Sequence, residues 1–111
     1  MSDLPNRCEP KMYLVHGDEK GPFAYATLTD FSCGRGLLQI HSDWGTYSYY
    51  WGGMGDRNLA TFLLDASPSY VEQKLSSNMH QMGMKKESFV RLTKFMAQCW
   101  PRLIDEFRKD L

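Results

Sequence analysis

His41 and Asp43 are the first residues whose types and spacing suit chemistry. Two apart on an extended segment, their side chains project to the same side. An imidazole and a carboxylate so placed make an acid–base pair or, joined by His16 or His80, a metal site. The bland alternative is a strand running into a turn, with Asp43 capping local N–H groups. The pair supports one functional alternative, a small metal-dependent enzyme using His41 and Asp43. No GxSxG, HExxH or zinc-finger spacing occurs in the sequence, and those patterns carry the usual nucleophile and zinc chemistry. The expectation is a protein that is not an enzyme and has no catalytic residues, metal or cofactor.

Gly52, Gly53 and Gly55 lie in GGMGD, between a strand-like and a helix-like stretch. A phosphate loop needs GxxxxGK[ST], and a dinucleotide turn needs GxGxxG. Both the Lys and the third spaced Gly are missing, so the segment reads as a strand-to-helix link. Lys86, Arg91 and Lys94 fall roughly on one exposed side of a helical stretch. Charges of this kind contact phosphates when aromatic side chains stack the bases, and Tyr47 to Trp51 contain such rings. Nucleic-acid binding is therefore a second alternative. Any amphipathic helix displays such a charged face.

Composition narrows the classes. The chain has 111 residues and no net charge, with 42% apolar residues. That is one domain able to bury a core. Residues 1–56 carry four basic and seven acidic side chains, and residues 57–111 carry nine and six. This mild polarity suits neither a strongly basic nucleic-acid binder nor an acidic DNA mimic. Cys8, Cys33 and Cys99 are odd in number and widely spaced, as free thiols in a reducing compartment are. No apolar run is long enough to span a bilayer, and the first residues lack a secretory pattern. The expectation is a cytoplasmic protein with no membrane partner.

The elements that position these residues follow from periodicity. Residues 1–10 read as a loose arm, and residues 11–111 as one α+β domain. Met12–Val15, Phe23–Phe31, Leu37–Ser42 and Thr46–Trp51 read as strands, with turns at Gly17–Pro22, Ser32–Gly36 and Asp43–Gly45. Leu38 and Ile40 share one face of their strand, with Gln39 and His41 opposite. Tyr47, Tyr49 and Trp51 share one face of the next, with Ser48 and Tyr50 opposite. Strands so close in sequence predict an antiparallel meander of three to four strands.

Helical spacing starts after Gly55. Asp56 is the expected N-cap of a helix carrying Leu59, Phe62 and Leu63. Ser67-Pro68 opens a second helix, with Val71 and Leu75 as its stripe. Ser76–Met84 reads as a Met-rich connection, in which Met79, Met82 and Met84 fill core gaps or adapt to a partner. Lys85–Leu111 carries a helical stripe from Phe89 to Phe107, with a kink or break at Pro101. Two or three helices should therefore cover one face of the sheet.

One stretch joins these readings. Ser42–Gly55, SDWGTYSYYWGGMG, holds five of the chain's fifteen aromatic residues. With LATFLLDASPSYVEQKL after it, the stretch resembles a group of small proteins encoded by bacteriophages and prophages. Their pattern is SDYG-N-Y-x-Y-x-W, a Gly-containing link, a Phe-Leu pair and a Tyr-Val step ending in Lys-Leu. Ser42, Asp43, Gly45, Tyr47, Tyr49, Trp51, Phe62, Leu63, Tyr70, Lys74 and Leu75 match. Trp44 stands where Tyr is usual, and Thr46 where Asn is usual. The likeness covers roughly residues 36–75. It implies a phage or prophage accessory protein that binds a host or phage protein complex, and by analogy an inhibitor of host defence such as an anti-CRISPR. Alternation gives Tyr47, Tyr49 and Trp51 to the fold. Trp44, Tyr50, Asp43 and His41, with Lys86, Arg91 and Lys94, are the expected partner-binding residues.

Overall fold

The computed structural model describes residues 10–16, 23–32 and 34–111. Four strands, β1 (Lys11–Val15), β2 (Ala24–Phe31), β3 (Arg35–Ser42) and β4 (Thr46–Trp51), precede four helices: α1 (Leu59–Asp65), α2 (Pro68–Gln81), α3 (Lys86–Gln98) and α4 (Trp100–Lys109). The sheet is an antiparallel meander in the order β1-β2-β3-β4. The α+β reading holds, with strands first and helices after. Most of the arm expected at residues 1–10, the turn at Gly17–Pro22, and Cys8 and Cys33 lie outside the described residues. No described helix is long and apolar enough to cross a membrane.

Register explains which side of the sheet is covered. Ala26 pairs with both Tyr13 and Ile40, Leu28 with Leu38, Leu38 with Tyr49, and Ile40 with Tyr47. Side chains directly opposite in a sheet share a face, so these form one inner surface. Val15, Ala24, Ala26, Leu28, Leu38, Ile40, Tyr47 and Trp51 are all buried there. Against them pack Leu59 and Leu63 of α1, Val71, Leu75 and Met79 of α2, Leu92, Phe95 and Met96 of α3, and Trp100, Leu103 and Phe107 of α4.

The chain reaches that side through a glycine junction. Gly34, at φ +69°, accepts a 2.7 Å hydrogen bond from Met54 N, and a Cβ on Gly34 would come within 2.2 Å of the Gly55 carbonyl oxygen. Asp30 Oδ1 then accepts from Leu59 N at 2.7 Å, seating the first turn of α1 on β2. The N-cap differs from the sequence expectation. Asp56 sits in the preceding turn, and Asn58 caps α1 by accepting from Thr61 N at 2.9 Å. Asn has the same short acceptor as Asp, and Asn58 stands immediately before the first helical residue.

Ser67 caps α2 as expected, accepting from Tyr70 N at 3.1 Å, with Pro68 just inside the helix. The Met-rich stretch is a correction: α2 continues through Gln81 with Met79 buried, and the connection is only residues 82–85. Gly83, at φ +71°, ends the helix. Gly83 N donates to His80 O and Met84 N to Met79 O, both at 3.1 Å, the glycine-terminated pattern that satisfies late helical carbonyls. The final helical stretch divides between α3 and α4 ahead of Pro101, which has no N–H to continue the α3 ladder.

The β3–β4 turn is built from its own short side chains. Ser42 Oγ donates to Gly45 O at 2.8 Å and accepts from Trp44 N and Gly45 N at 3.2 Å. Glycine suits position 45 because a Cβ there would lie 3.0 Å from the Tyr47 hydroxyl. Tyr47 is 3% exposed and its hydroxyl has no hydrogen-bond partner. Burial pushes its pKa up to about 12. Tyr13 rises likewise to about 12, by burial and by donating to Asp110 Oδ2 at 2.6 Å.

This packing sets two expectations. Gly34→Ala should lower stability by more than about 2 kcal/mol in denaturant unfolding, while Gly53→Ala, whose Cβ meets nothing within 4 Å, stays within about 0.5 kcal/mol. Equal midpoints for the two variants would refute the junction. The raised phenol pKa values stabilise the fold below pH ~10, the unfolded value, and that stabilisation is lost as pH rises towards 12. Tyr47→Phe should leave the neutral-pH melting temperature equal or higher and make the alkaline decline shallower. A loss of more than about 1 kcal/mol at neutral pH would reveal an unseen partner for the hydroxyl.

Candidate partner-binding surface

All four helices lie on the inner face, so the outer face of the sheet has no cover among the described residues. Alternation turns Met12 and Leu14 of β1, Tyr25, Thr27, Thr29 and Phe31 of β2, Arg35, Leu37, Gln39 and His41 of β3, and Thr46, Ser48 and Tyr50 of β4 to that side. Met12 is 66% exposed, Tyr50 47% and Leu14 46%. None of these strand side chains is acidic.

The rings on this face form two groups. Tyr25 stacks on His41 with centroids 5.3 Å apart and planes at 29°, and Phe23 leans on both at 6.1 and 6.3 Å. At the other end, Phe31 and Tyr50 meet at 6.2 Å. Between the groups Gln39 is exposed. A shallow depression of about 270 Å³ beside the first group is lined by Tyr25, Thr27, Gln39, His41 and Thr46, among others. Such a surface offers flat apolar area with few charges to desolvate, which suits macromolecular contact.

The sequence candidates divide between the two sides of the sheet. His41 and Tyr50 stand on the outer face. His41 Nδ1 lies 3.2 Å from Thr46 Oγ1. Asp43 is occupied with the fold: its Oδ2 accepts from Phe23 N at 2.9 Å, while its own N–H donates to Phe23 O at 3.2 Å. His80 is on α2, stacked on Phe89 at 4.3 Å. No three His, Cys, Asp or Glu side chains among the described residues are grouped to hold a metal.

Trp44 is half-buried against the core, with its indole N–H enclosed beside the Cys99 thiol. Lys94 Nζ stands 5.9 Å from the centre of the Trp44 ring, a cation–π contact. Lys86, Arg91 and Lys94 belong to α3, in the helical layer. Cys99 is buried, and burial raises its thiol pKa, which keeps it an inert core residue.

Sequence reasoning missed Met12, Leu14, Tyr25, Phe31 and Leu37 as surface. Their signal was present in the register: each stands opposite or beside another outward residue, as Leu37 does to Tyr50 and Leu14 to Tyr25.

The residues that carried the phage likeness sit mainly in the scaffold: Ser42 and Gly45 build the turn, Tyr47 and Trp51 the inner face, and Trp51 Nε1 donates to Tyr70 OH at 3.1 Å. Neither a curated protein nor a solved structure matches the chain. Residues 9–109 match the family model Phage_phiTE_072, described as a phage family. With nearly its whole length inside that match, the chain belongs to this phage family and is a phage-encoded protein.

Proposed function

We propose that the protein is a non-enzymatic phage accessory protein that acts by binding another protein through the outer face of its sheet. The observation that carries this reading is the asymmetry of the sheet: four helices on one face, and on the other Tyr50, Leu14 and Met12 exposed beside paired aromatic rings. Rigid aromatic side chains lose little entropy when a partner covers them, and exposed Tyr is a common interface anchor. The mechanism is occlusion, in which a rigid sheet covers the working surface of a host or phage complex. By analogy with accessory proteins of this size and origin, the target is a host-defence complex.

A second reading, single-stranded nucleic-acid binding, draws on the same rings and on the absence of acidic side chains from the strands' outer face. It requires phosphate contacts, and its affinity would fall steeply with salt. Arg35 is the one formally charged strand residue on that face, and Lys86, Arg91 and Lys94 stand on the helical side, so protein binding is the better fit.

The test compares the tagged wild-type chain with Tyr50→Glu and with Gln98→Ala, an exposed α3 residue, in capture from host lysate and in plating on defended hosts. Wild type and Gln98→Ala should retain one stoichiometric partner and restore plating. Tyr50→Glu should lose capture by about tenfold or more. Equal capture by all three proteins, or none by any, would reject the reading. Binding to single-stranded DNA or RNA that collapses with salt would replace it with the second.

A further inference from the structure

The two edges of the sheet are not alike. β1 and β4 are both edge strands. Along β4 lies α2, and Asn78 Nδ2 donates to the Ser48 carbonyl at 2.9 Å and reaches Ser48 Oγ at 3.3 Å. At β1 the only hydrogen bond made by a side chain among the described residues is from Tyr13 OH to Asp110, and it lies on the inner face. No described helix or strand pairs with the outward backbone groups of Lys11–Val15. In an antiparallel edge strand, alternate residues direct N–H and C=O away from the sheet. Proteins commonly protect such an edge with proline, a bulge or several charges; Pro10 stands just before β1, while the strand itself reads KMYLV and carries one charge, Lys11.

A groove of about 560 Å³ opens at the C-terminal end of this edge. Leu14, Val15 and His16 line one wall, and Arg102, Asp105, Glu106 and Lys109 of α4 line the other. Leu14 and Val15 point to opposite faces of the sheet, so a groove lined by both opens onto the edge at the end of β1. The α4 residues recur at i, i+3, i+4 and i+7, one stripe of the helix, while Trp100, Leu103 and Phe107 form the buried stripe. The wall carries both signs of charge, matched within itself by Glu106–Lys109 at 2.7 Å, while Asp105 pairs with the neighbouring Arg108 at 3.0 Å. An edge strand facing a helix across a groove is the geometry that accepts a peptide by strand addition, with backbone hydrogen bonds giving affinity and alternate side chains giving selectivity.

We infer that the β1–α4 groove binds an extended segment of a partner protein as a fifth strand of the sheet. This inference rests on the protein-binding reading and adds the form of the partner. The occupant is a backbone-recognised strand. Its apolar side chains lie beside Met12 and Leu14, whose exposure on the outer face extends the docking surface to the edge. Backbone groups that no other described residue pairs argue for this occupant, because another strand satisfies them in register and a helix or a nucleic acid does not. A second copy of the chain pairing β1 with β1 is the competing occupant. It would bring the charged stripes of two α4 helices together, with no apolar residue in the stripe to hold them.

The probe is a displayed library of random peptides of about ten residues, long enough to span β1 at ~3.4 Å per residue, selected on the full-length chain. Amide exchange is then followed with and without a selected peptide. Binding should slow exchange within residues 11–15 by about tenfold or more. N-methylation of alternate peptide amides should abolish binding, and Leu14→Lys should weaken it at least tenfold while Gln98→Ala leaves it unchanged. Failure to select any peptide, or protection confined to the outer face or to α3, overturns the inference. A concentration-dependent dimer that protects residues 11–15 without peptide also overturns it, in favour of self-pairing. Because this probe needs no biological target, peptide binding with no lysate capture would reject the functional reading alone. Lysate capture without peptide binding would reject the groove alone.

Discussion

The junction at Gly34 decides which face of the sheet is covered. The chain leaves β4 heading away from the sheet and must turn to one side. Met54 N bonds to Gly34 O at 2.7 Å, Gly55 passes where a side chain on Gly34 would stand, and Asp30 takes the first free N–H of α1. These contacts fix the entry of α1 onto the inner face. Each later connection is short: residues 66–67 before α2, 82–85 before α3, and Cys99 between α3 and α4. With such links the remaining helices stay on the side where α1 began. Covering one face therefore leaves the other without helices, and the surface proposed for binding follows from the same turn that builds the core.

The aromatic segment from Ser42 to Gly55 divides along the same line. Its strand residues alternate between a structural set (Tyr47, Tyr49 and Trp51) and an outward set (Ser48 and Tyr50). Tyr49 and Trp51 lie 4.8 Å apart on the inner side, and Lys74 on α2 stands 5.8 Å over Tyr49. Tyr47 meets Phe95 at 5.3 Å. Phage-like residues thus describe how the sheet is closed. The outward set and its neighbours on β1 and β2 supply the open surface.

Much of this was legible in the sequence. Period-two alternation located the strands, and their proximity gave the meander. Leu38 with Ile40, and Tyr47 with Trp51, were on the correct faces because each set contrasts with polar neighbours. β2 was harder. AYATLTDF alternates small with aromatic or polar residues, and alternation alone does not say which set faces inward. Pairing of Ala26 with Ile40 settles it: the small residues go inward and Tyr25 goes outward. The α1 cap moved from Asp56 to Asn58 because several residues near a helix start are competent caps, and the junction selects among them. The end of α2 is not legible in the sequence because Ser76, Ser77 and Asn78 read as loop by composition. Tertiary contact overrides that weak preference: Met79 is buried and Asn78 bonds to β4. Of the surface candidates, Trp44 and Asp43 stand in the β3–β4 turn, where Trp44 packs against the core under Lys94 and Asp43 ties the turn to Phe23.

The central claim is that one face of the sheet is core and the other is open for a partner. Solvent paramagnetic relaxation of the free protein, read on assigned side-chain signals with a soluble gadolinium chelate, tests it most directly. Met12, Leu14 and Tyr50 should be strongly relaxed, while Leu38, Ile40 and Tyr47 on the same strands or their neighbours remain protected. Equal protection of Met12, Leu14 and Tyr50 in the isolated chain would mean that the outer face is already covered, and the account would be contradicted.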